Sequence, residues 1–482
     1  MNVLSFHRSR WKKKTSNRPL FFSISLMIIF FILLLISYTE VPKSFLFNSR
    51  KALNAGFTPC SGRNTGERFL WFAPHSGFSN QLSELKNAIL MAAILNRTLI
   101  VPPVLDHHSV VLGSCPKFRV SSPNDLRMSV WNHVIDLLQS HRYISMADIV
   151  DLSSLVSSSM VKTIDFRVFL SLWCGVDRDL SCFDVLEMGS LFERLKQCGS
   201  VLSGLNGNIN SCLYALDEDC RTTVWTYLQR DDDGILDSFQ ADEQLRKRKK
   251  ISYIRKRRDV YKALGPGSKA ETATVLAFGS LFTAPYKGSE LYIDIHEAPK
   301  DHRIHSLLQR IEFLPFVSEI LTAGKEFSVQ KIKVPFLCAQ LRMLDGQFKN
   351  HWKATFLGLK EKIVSLQKKG PLPIHIFVMT DLPESNWTGT YLGELAKDSA
   401  FYKLYNLGED DELVVRTTEK LVVKTHKHCH HRILPDILLY VEETICSCAS
   451  LGFVGTAGST IAESIQIMRK NGICFNLDEP EV

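Results

Sequence analysis

The stretch "FLWFAPHSGFSNQLSELKNAILMAAILNRTLIVPP", Phe69 to Pro103, decides the fold. "RFLWFAP" is a short, continuous apolar run and reads as a buried strand. From Leu82 onward, Leu82, Leu85, Ile89, Ala92 and Ala93 recur at helical spacing, which predicts a helix with an apolar face. "RTLIVPP" reads as a second strand, closed by Pro102 and Pro103. Strand, loop, helix and strand form one βαβ unit, and such a crossover joins parallel neighbours. His75, Ser76, Gly77, Ser79 and Asn80 sit together at the one polar break. They either end a strand and start a helix, or they face a ligand.

The C-terminal part repeats the α/β pattern. "VPFLCAQLRM" and "IHIFVMTD" are apolar runs that end in polar residues, and "ELVVRTT" reads as a third short strand. "ILPDILLYVEETICSCASLGFVGTAGSTIAESIQIMRKNG" reads as helix, strand, tight turn and helix. In open α/β sheets ligands sit beyond the C-terminal ends of the strands. Arg342, Thr380–Asp381 and Gly455–Thr460 therefore fall on one edge.

That edge carries the chemistry. Gly455 and Gly458 let the backbone approach a ligand, and Ser459 and Thr460 stand where a helix begins. Free N–H groups and the helix dipole favour a phosphate there; the alternative is an ordinary N-cap. Arg342, with Asp345 three residues on, has the fork that grips a diphosphate, or else forms a structural ion pair. Asp381 either accepts bonds from a base or ribose or begins a turn. His426, His428, His430 and His431 flank Cys429 at a spacing that matches no zinc pattern, which favours a polar loop. Asp177/Asp179 and Asp217/Asp219 are the Asp-x-Asp pairs a metal-dependent glycosyltransferase would need.

The 482 residues suffice for two or three domains, and 45% hydrophobic with 22% charged residues fits a folded body. The net charge of +8 owes much to a basic tail, residues 1–18. Pro19 to Tyr38 carries no charge. An apolar helix of about 20 residues spans a bilayer, with its flanking cations on the cytoplasmic side. No small-residue cleavage site ends the run. The expectation is a single transmembrane signal anchor at 19–39, a stem at 40–67 and a lumenal body. The sequons at Asn96 and Asn386 and 12 cysteines agree with an oxidising lumen. Cys338, in an apolar run, reads as buried and free. Residues 231–260 turn from acidic to strongly basic. They read as a solvated helix or insertion, with a patch for an anionic glycan as the alternative for 246–258. This topology sets that run apart from nucleic acid.

"HSGFSNQLSELKNAILMAAILNRTLIVPP", "LCAQLRMLD", "FVMTD" and "FVGTAGST" occur in an order and spacing that resemble the GDP-fucose protein O-fucosyltransferases. "ETICSCASLGFVGTAGST" is similar to the plant branch of that family. The resemblance runs from about Arg68 to Cys474. It implies an α/β fold of GT-B type, with two Rossmann-like domains facing across a cleft. These are an acceptor-side domain at 68–325 and a nucleotide-sugar domain at 326–482. It implies inverting transfer from GDP-fucose to a protein or glycan hydroxyl, with no cofactor or essential metal, in the Golgi or ER. Arg342 would hold the diphosphate and stabilise its developing charge. Gly458, Ser459 and Thr460 would bind phosphate, Asp345 and Asp381 would add donor contacts, and Gly77 and Asn80 would line the cleft. Asn80 would lie beside the reacting centre. Glu84 and His75 are possible general bases. Gln340 stands where the family often has His, and Gly77 where enzymes acting on EGF-like repeats carry Arg. Some plant relatives use rhamnose donors, and a non-catalytic glycan-binding protein is the remaining alternative.

Overall fold

The computed structural model describes residues 66–105, 122–176, 189–204, 209, 212–216, 223–226, 253–256, 264–281, 302–344, 348, 352–368, 370–425 and 437–474. The chain divides into two compact units, Met1–Thr58 and Pro59–Val482, and the described residues all belong to the second. The tail, the anchor expected at 19–39 and the stem up to residue 65 lie outside the described residues. Among the described residues no helix is long and apolar enough to cross a membrane.

The first half contains β1 (Phe69–Trp71), α1 (Phe78–Leu95), β2 (Thr98–Val101), α2 (Pro123–Gln139), β3 (Thr163–Asp165), α3 (Phe166–Cys174) and α4 (Gly189–Leu202). It continues with β4 (Leu213–Ala215), β5 (Thr223–Thr226), β6 (Tyr253–Lys256) and β7 (Val275–Ala277). Five of these strands form a parallel sheet in the order β3-β2-β1-β7-β4. β5 and β6, the latter within the basic run, pair as a separate two-stranded ribbon. Phe69, Leu70, Trp71, Leu99, Ile100 and Val101 are all buried, as expected for central parallel strands covered on both faces.

The second half contains α5 (His302–Glu312), α6 (Ser318–Glu326), β8 (Phe336–Leu341), α7 (Trp352–Gln367), β9 (Ile374–Thr380) and α8 (Tyr391–Lys397). Then come β10 (Tyr402–Tyr405), α9 (Glu412–Thr425), α10 (Ile437–Ser447), β11 (Gly452–Gly455) and α11 (Thr460–Lys470). Its sheet is parallel, in the order β10-β9-β8-β11. Successive side chains of a strand point to opposite faces. Accordingly Leu337, Ala339 and Leu341 join Phe356, Leu359 and Ile363 of α7 in one core. Phe336 and Cys338 join Ile320 of α6 and Val441 and Ile445 of α10 in the other.

Two expectations are corrected. "ELVVRTT" is not a strand but the start of α9. Val414, Thr417 and Leu421 are its buried positions, a helical stripe over α6 and α10. The edge strand is instead β10, which the sequence reading missed. It is the short, half-buried run Tyr402–Tyr405, whose weak alternation gives little signal. Cys338 is not free. It is disulfide-bonded to Cys446 of α10, and Cys174–Cys198 and Cys448–Cys474 are also bridged.

Candidate active site

The break at Gly77 is an ordinary helix start on an elaborate support. Gly77 is the N-cap of α1 with φ −67°, a conformation open to any residue, and no side chain caps the turn. The left-handed position is Ser76, at φ 65°. The backbone N–H groups of Asn80 and Gln81 close the turn on the Gly77 carbonyl. Asn80 is half-buried on the first turn of α1.

Beneath the loop lies a polar clasp. Glu84 Oε1 accepts the His75 N–H at 3.1 Å, and Glu84 Oε2 accepts the Leu281 N–H at 3.0 Å and the Ser280 hydroxyl at 3.3 Å. His75 Nε2 is 2.8 Å from Ser280 Oγ. Both His75 and Glu84 have 0% exposure. Burial pushes the Glu84 carboxyl well above the usual carboxylate range, against the pull of the bonds from Leu281, His75 and Ser280. Both have the residue type of a general base. With no exposed surface and their polar atoms engaged, they bind the end of β1 to the segment after β7.

The same loop is pinned by residues the sequence reading passed over. The Gln81 amide donates to the Ser76 and Leu105 carbonyls and accepts the Leu105 N–H. Asn87 Nδ2 donates to the Leu281 carbonyl. Gln81, Glu84 and Asn87 recur every three residues along an otherwise apolar helix face. That spacing was the available signal, since polar groups on a core face must find partners.

The second edge gathers more. Arg342, Asp381 and Thr456 follow the ends of β8, β9 and β11. The Arg342 N–H donates to Thr456 Oγ1 at 2.9 Å, and the Thr456 N–H donates to Gln340 Oε1 at 3.2 Å. Asp381 Oδ1 accepts the Met343 N–H at 2.6 Å, and Oδ2 accepts the Leu344 N–H at 3.1 Å. Arg342 Nε lies 3.8 Å from Asp381 Oδ2, and the guanidinium carbon is 5.7 Å from the Phe348 ring centroid. The ion-pair alternative posed for Arg342 is therefore present, with Asp381 as its partner, whereas among the described residues the Asp381 carboxylate bonds the chain after β8 and not a turn of its own. Gln340, in the position where relatives often have His, is buried and holds the exit of β11.

Next to Thr456, Gly458 adopts φ 72°, which favours glycine, and leads into α11. A side chain at Gly455 would meet Ala462 Cβ at 2.7 Å, so glycine permits α11 to sit against β11. Ser459 is the N-cap of α11 but its side chain makes no capping bond. The side-chain capping bond is thus not made, and among the described residues the first turn of α11 keeps its amides without a side-chain acceptor.

The two halves meet through the helix that begins in the loop. Phe78 lies 4.5 Å from the Tyr440 ring of α10, and Phe316 lies 5.3 Å from Tyr440, centroid to centroid. α11 also packs on α1. Between α10 and α11, Glu443 is 1% exposed and accepts the Ser464 hydroxyl at 2.7 Å. Burial pushes its carboxyl up to about 8, opposed by the Ser464 bond. A raised folded-state pKa means the native state holds a proton that the unfolded state has lost. Stability from this group is therefore full below the unfolded value, near 4.5, and falls as pH rises towards 8. Glu443→Gln is expected to flatten the decline in melting temperature between pH 5 and pH 8 and to be more stable than wild type at pH 8. Parallel pH–melting curves for the two proteins would refute it.

Asp345, the Asp177/Asp179 and Asp217/Asp219 pairs and the 426–431 cluster lie outside the described residues. Among the described residues no group of His, Cys, Asp and Glu is arranged to hold a metal ion. Asn96 is exposed as the left-handed C-cap of α1, although Thr98 of its sequon is buried against Glu67. Asn386 and Thr388 are both exposed.

Comparison with known proteins adds a relative. The chain is 57% identical over 489 residues to O-fucosyltransferase 30 of Arabidopsis thaliana, covering 96% of each protein. No family model matches the chain. Among solved structures, POFUT1 in complex with GDP aligns with a TM-score of 0.40 at 13% identity, covering 84% of this chain and 96% of that one. POFUT1 in complex with GDP-fucose aligns at 0.37 and 13%, covering 85% and 95%. The fucosyltransferase NodZ from Bradyrhizobium aligns at 0.33 and 12%, covering 83% and 91%.

Proposed function

The chain belongs to the O-fucosyltransferase family, and from that premise we propose that it transfers fucose from GDP-fucose, with inversion, to a hydroxyl of a protein or glycan. The chain is a glycosyltransferase. The observation that carries the donor reading is the edge of the second sheet. There Arg342, set in place by Asp381 and Thr456, shares one row of strand ends with the uncapped amides of α11.

In the proposed reaction the acceptor oxygen attacks the anomeric carbon from the face opposite the diphosphate. The bond from that carbon to the diphosphate oxygen breaks, and GDP leaves with the electron pair. The acceptor proton passes to a base. The Arg342 fork and the amides of Gly458 and Thr460 stabilise the charge that develops on the leaving oxygen, which is where preorganised donors act most strongly, while the Ser459 N–H is held by the Thr456 carbonyl. Gly77 and Asn80 form the opposing wall, in a GT-B arrangement with domains at 68–325 and 326–482. The enzyme is a single-pass type II protein, anchored by 19–39, with its body in the Golgi or ER lumen.

A donor screen on residues after about Glu40 tests the reading, scoring thermal stabilisation and release of the nucleoside diphosphate. GDP-fucose is expected to stabilise and turn over, with EDTA without effect; GDP-mannose stabilises through its GDP moiety but does not turn over, and UDP-rhamnose does neither. Turnover of UDP-rhamnose would move the enzyme to another donor. Binding of GDP-fucose without transfer to any acceptor would make the protein a glycan-binding relative. Strict metal dependence would return Asp217/Asp219 to the site.

A further inference from the structure

Resting on that donor site, we infer that Asp381 is a positioning residue for Arg342 and not a contact to the nucleoside. A carboxylate that reads a base or ribose must extend away from its own sheet. Here both oxygens turn back onto the chain leaving β8. One accepts the Met343 N–H at 2.6 Å, the other the Leu344 N–H at 3.1 Å, and the second lies 3.8 Å from Arg342 Nε. Amide-to-carboxylate bonds are stronger than neutral ones, and the one from Met343 is short. They fix the two residues after Arg342 and bias the direction of its fork.

The grip has a counterpart on the other side. β8 lies between β9 and β11 in the sheet, so a residue at its end can be held from both neighbours. β9 supplies Asp381. β11 leads into Thr456, whose hydroxyl accepts the Arg342 N–H at 2.9 Å and whose own N–H is held by Gln340. The Asp381 turn is itself locked. Thr380 Oγ1 donates to the Leu341 carbonyl at 2.8 Å and accepts the Leu382 N–H at 3.1 Å. Arginine has many side-chain rotamers, and catalysis by a placed donor needs few of them. The backbone bonds fix where the side chain starts, and the approach of Asp381 Oδ2 to Nε at 3.8 Å narrows the directions its fork can take before the diphosphate arrives.

The test is a double-mutant cycle read with two probes, GDP and guanosine, by calorimetric titration of the purified lumenal chain. If Asp381 acts through Arg342, Asp381→Ala weakens GDP binding about tenfold and leaves guanosine binding unchanged. In the Arg342→Ala background it costs nothing further. Asp381→Asn, which keeps one acceptor oxygen, falls between. Thr456→Ser recovers most of what Thr456→Val loses, because the hydroxyl returns. A loss of guanosine affinity, or a loss in GDP affinity that adds fully to that of Arg342→Ala, makes Asp381 a direct nucleoside contact and overturns the inference. Wild-type affinity for GDP in Asp381→Ala overturns it as well. The donor site itself fails in a different way: wild type does not bind GDP, or Arg342→Ala binds it as wild type does.

Discussion

Arg342→Ala is expected to remove most of the thermal stabilisation by GDP that the proposed donor site predicts, and to lower turnover by about 10²–10³-fold. The residue is partly exposed at the C-terminal end of β8, with its side chain 20% accessible, and its backbone is held from two neighbouring strands. In the proposed donor site, a guanidinium carried on a backbone so held would meet the diphosphate from a fixed starting point. Its two parallel N–H bonds would match two phosphate oxygens, and the interaction would strengthen as negative charge builds on the leaving oxygen. Removing it should therefore cost turnover more than donor affinity. Arg342→Lys is expected to recover little, because a point charge lacks the planar fork. Stabilisation by GDP that is unchanged in Arg342→Ala would remove the residue from the site.

Replacing both Cys338 and Cys446 by Ala is expected to give the largest loss of stability. The bridge closes a loop of sequence separation 108 and ties the strand that ends in Arg342 to the helix α10. Both cysteines are fully buried. In the chain-entropy account, a loop of this size contributes about 4–5 kcal/mol by restricting the unfolded chain. The cavity left by two sulfur atoms adds to the loss. The melting temperature should fall by roughly 5–10 °C. A shift of less than about 2 °C would mean that the core around β8 and α10 holds without the bridge.

The first βαβ unit was legible because its signal is local. An apolar run, a helical stripe and a second apolar run lie within one short stretch, and each repeats at its own period. The turn from β11 to α11 was legible for the same reason, since glycine and small hydroxyl residues mark a strand-to-helix turn on their own. "ELVVRTT" was misread because a β-branched pair in a short window suits a strand as well as a helix. Only the burial of Val414, Thr417 and Leu421 against α6 and α10 separates the two.

Chemical roles were less legible than positions. His75 and Glu84 have the residue types of a general base, and no sequence pattern says that both are buried in one clasp with Ser280, about two hundred positions away. Asp381 has the type and place of a nucleoside contact, yet its oxygens hold the chain beyond β8. Cys338 has the surroundings of a buried free thiol, yet it is bridged across a long separation. In each case the partner is remote in the chain.

By itself the sequence determined the parallel α/β character, the polar strand ends and the set of residues on offer at the second edge, because periodicity and turn chemistry act over a few neighbouring positions. Only the tertiary structure decided which of those residues keep exposed groups at that edge and which are engaged in supporting bonds. That choice rests on burial and on hydrogen bonds between β8, β9 and β11, strands joined by long helical crossovers whose order in the sheet differs from their order in the chain.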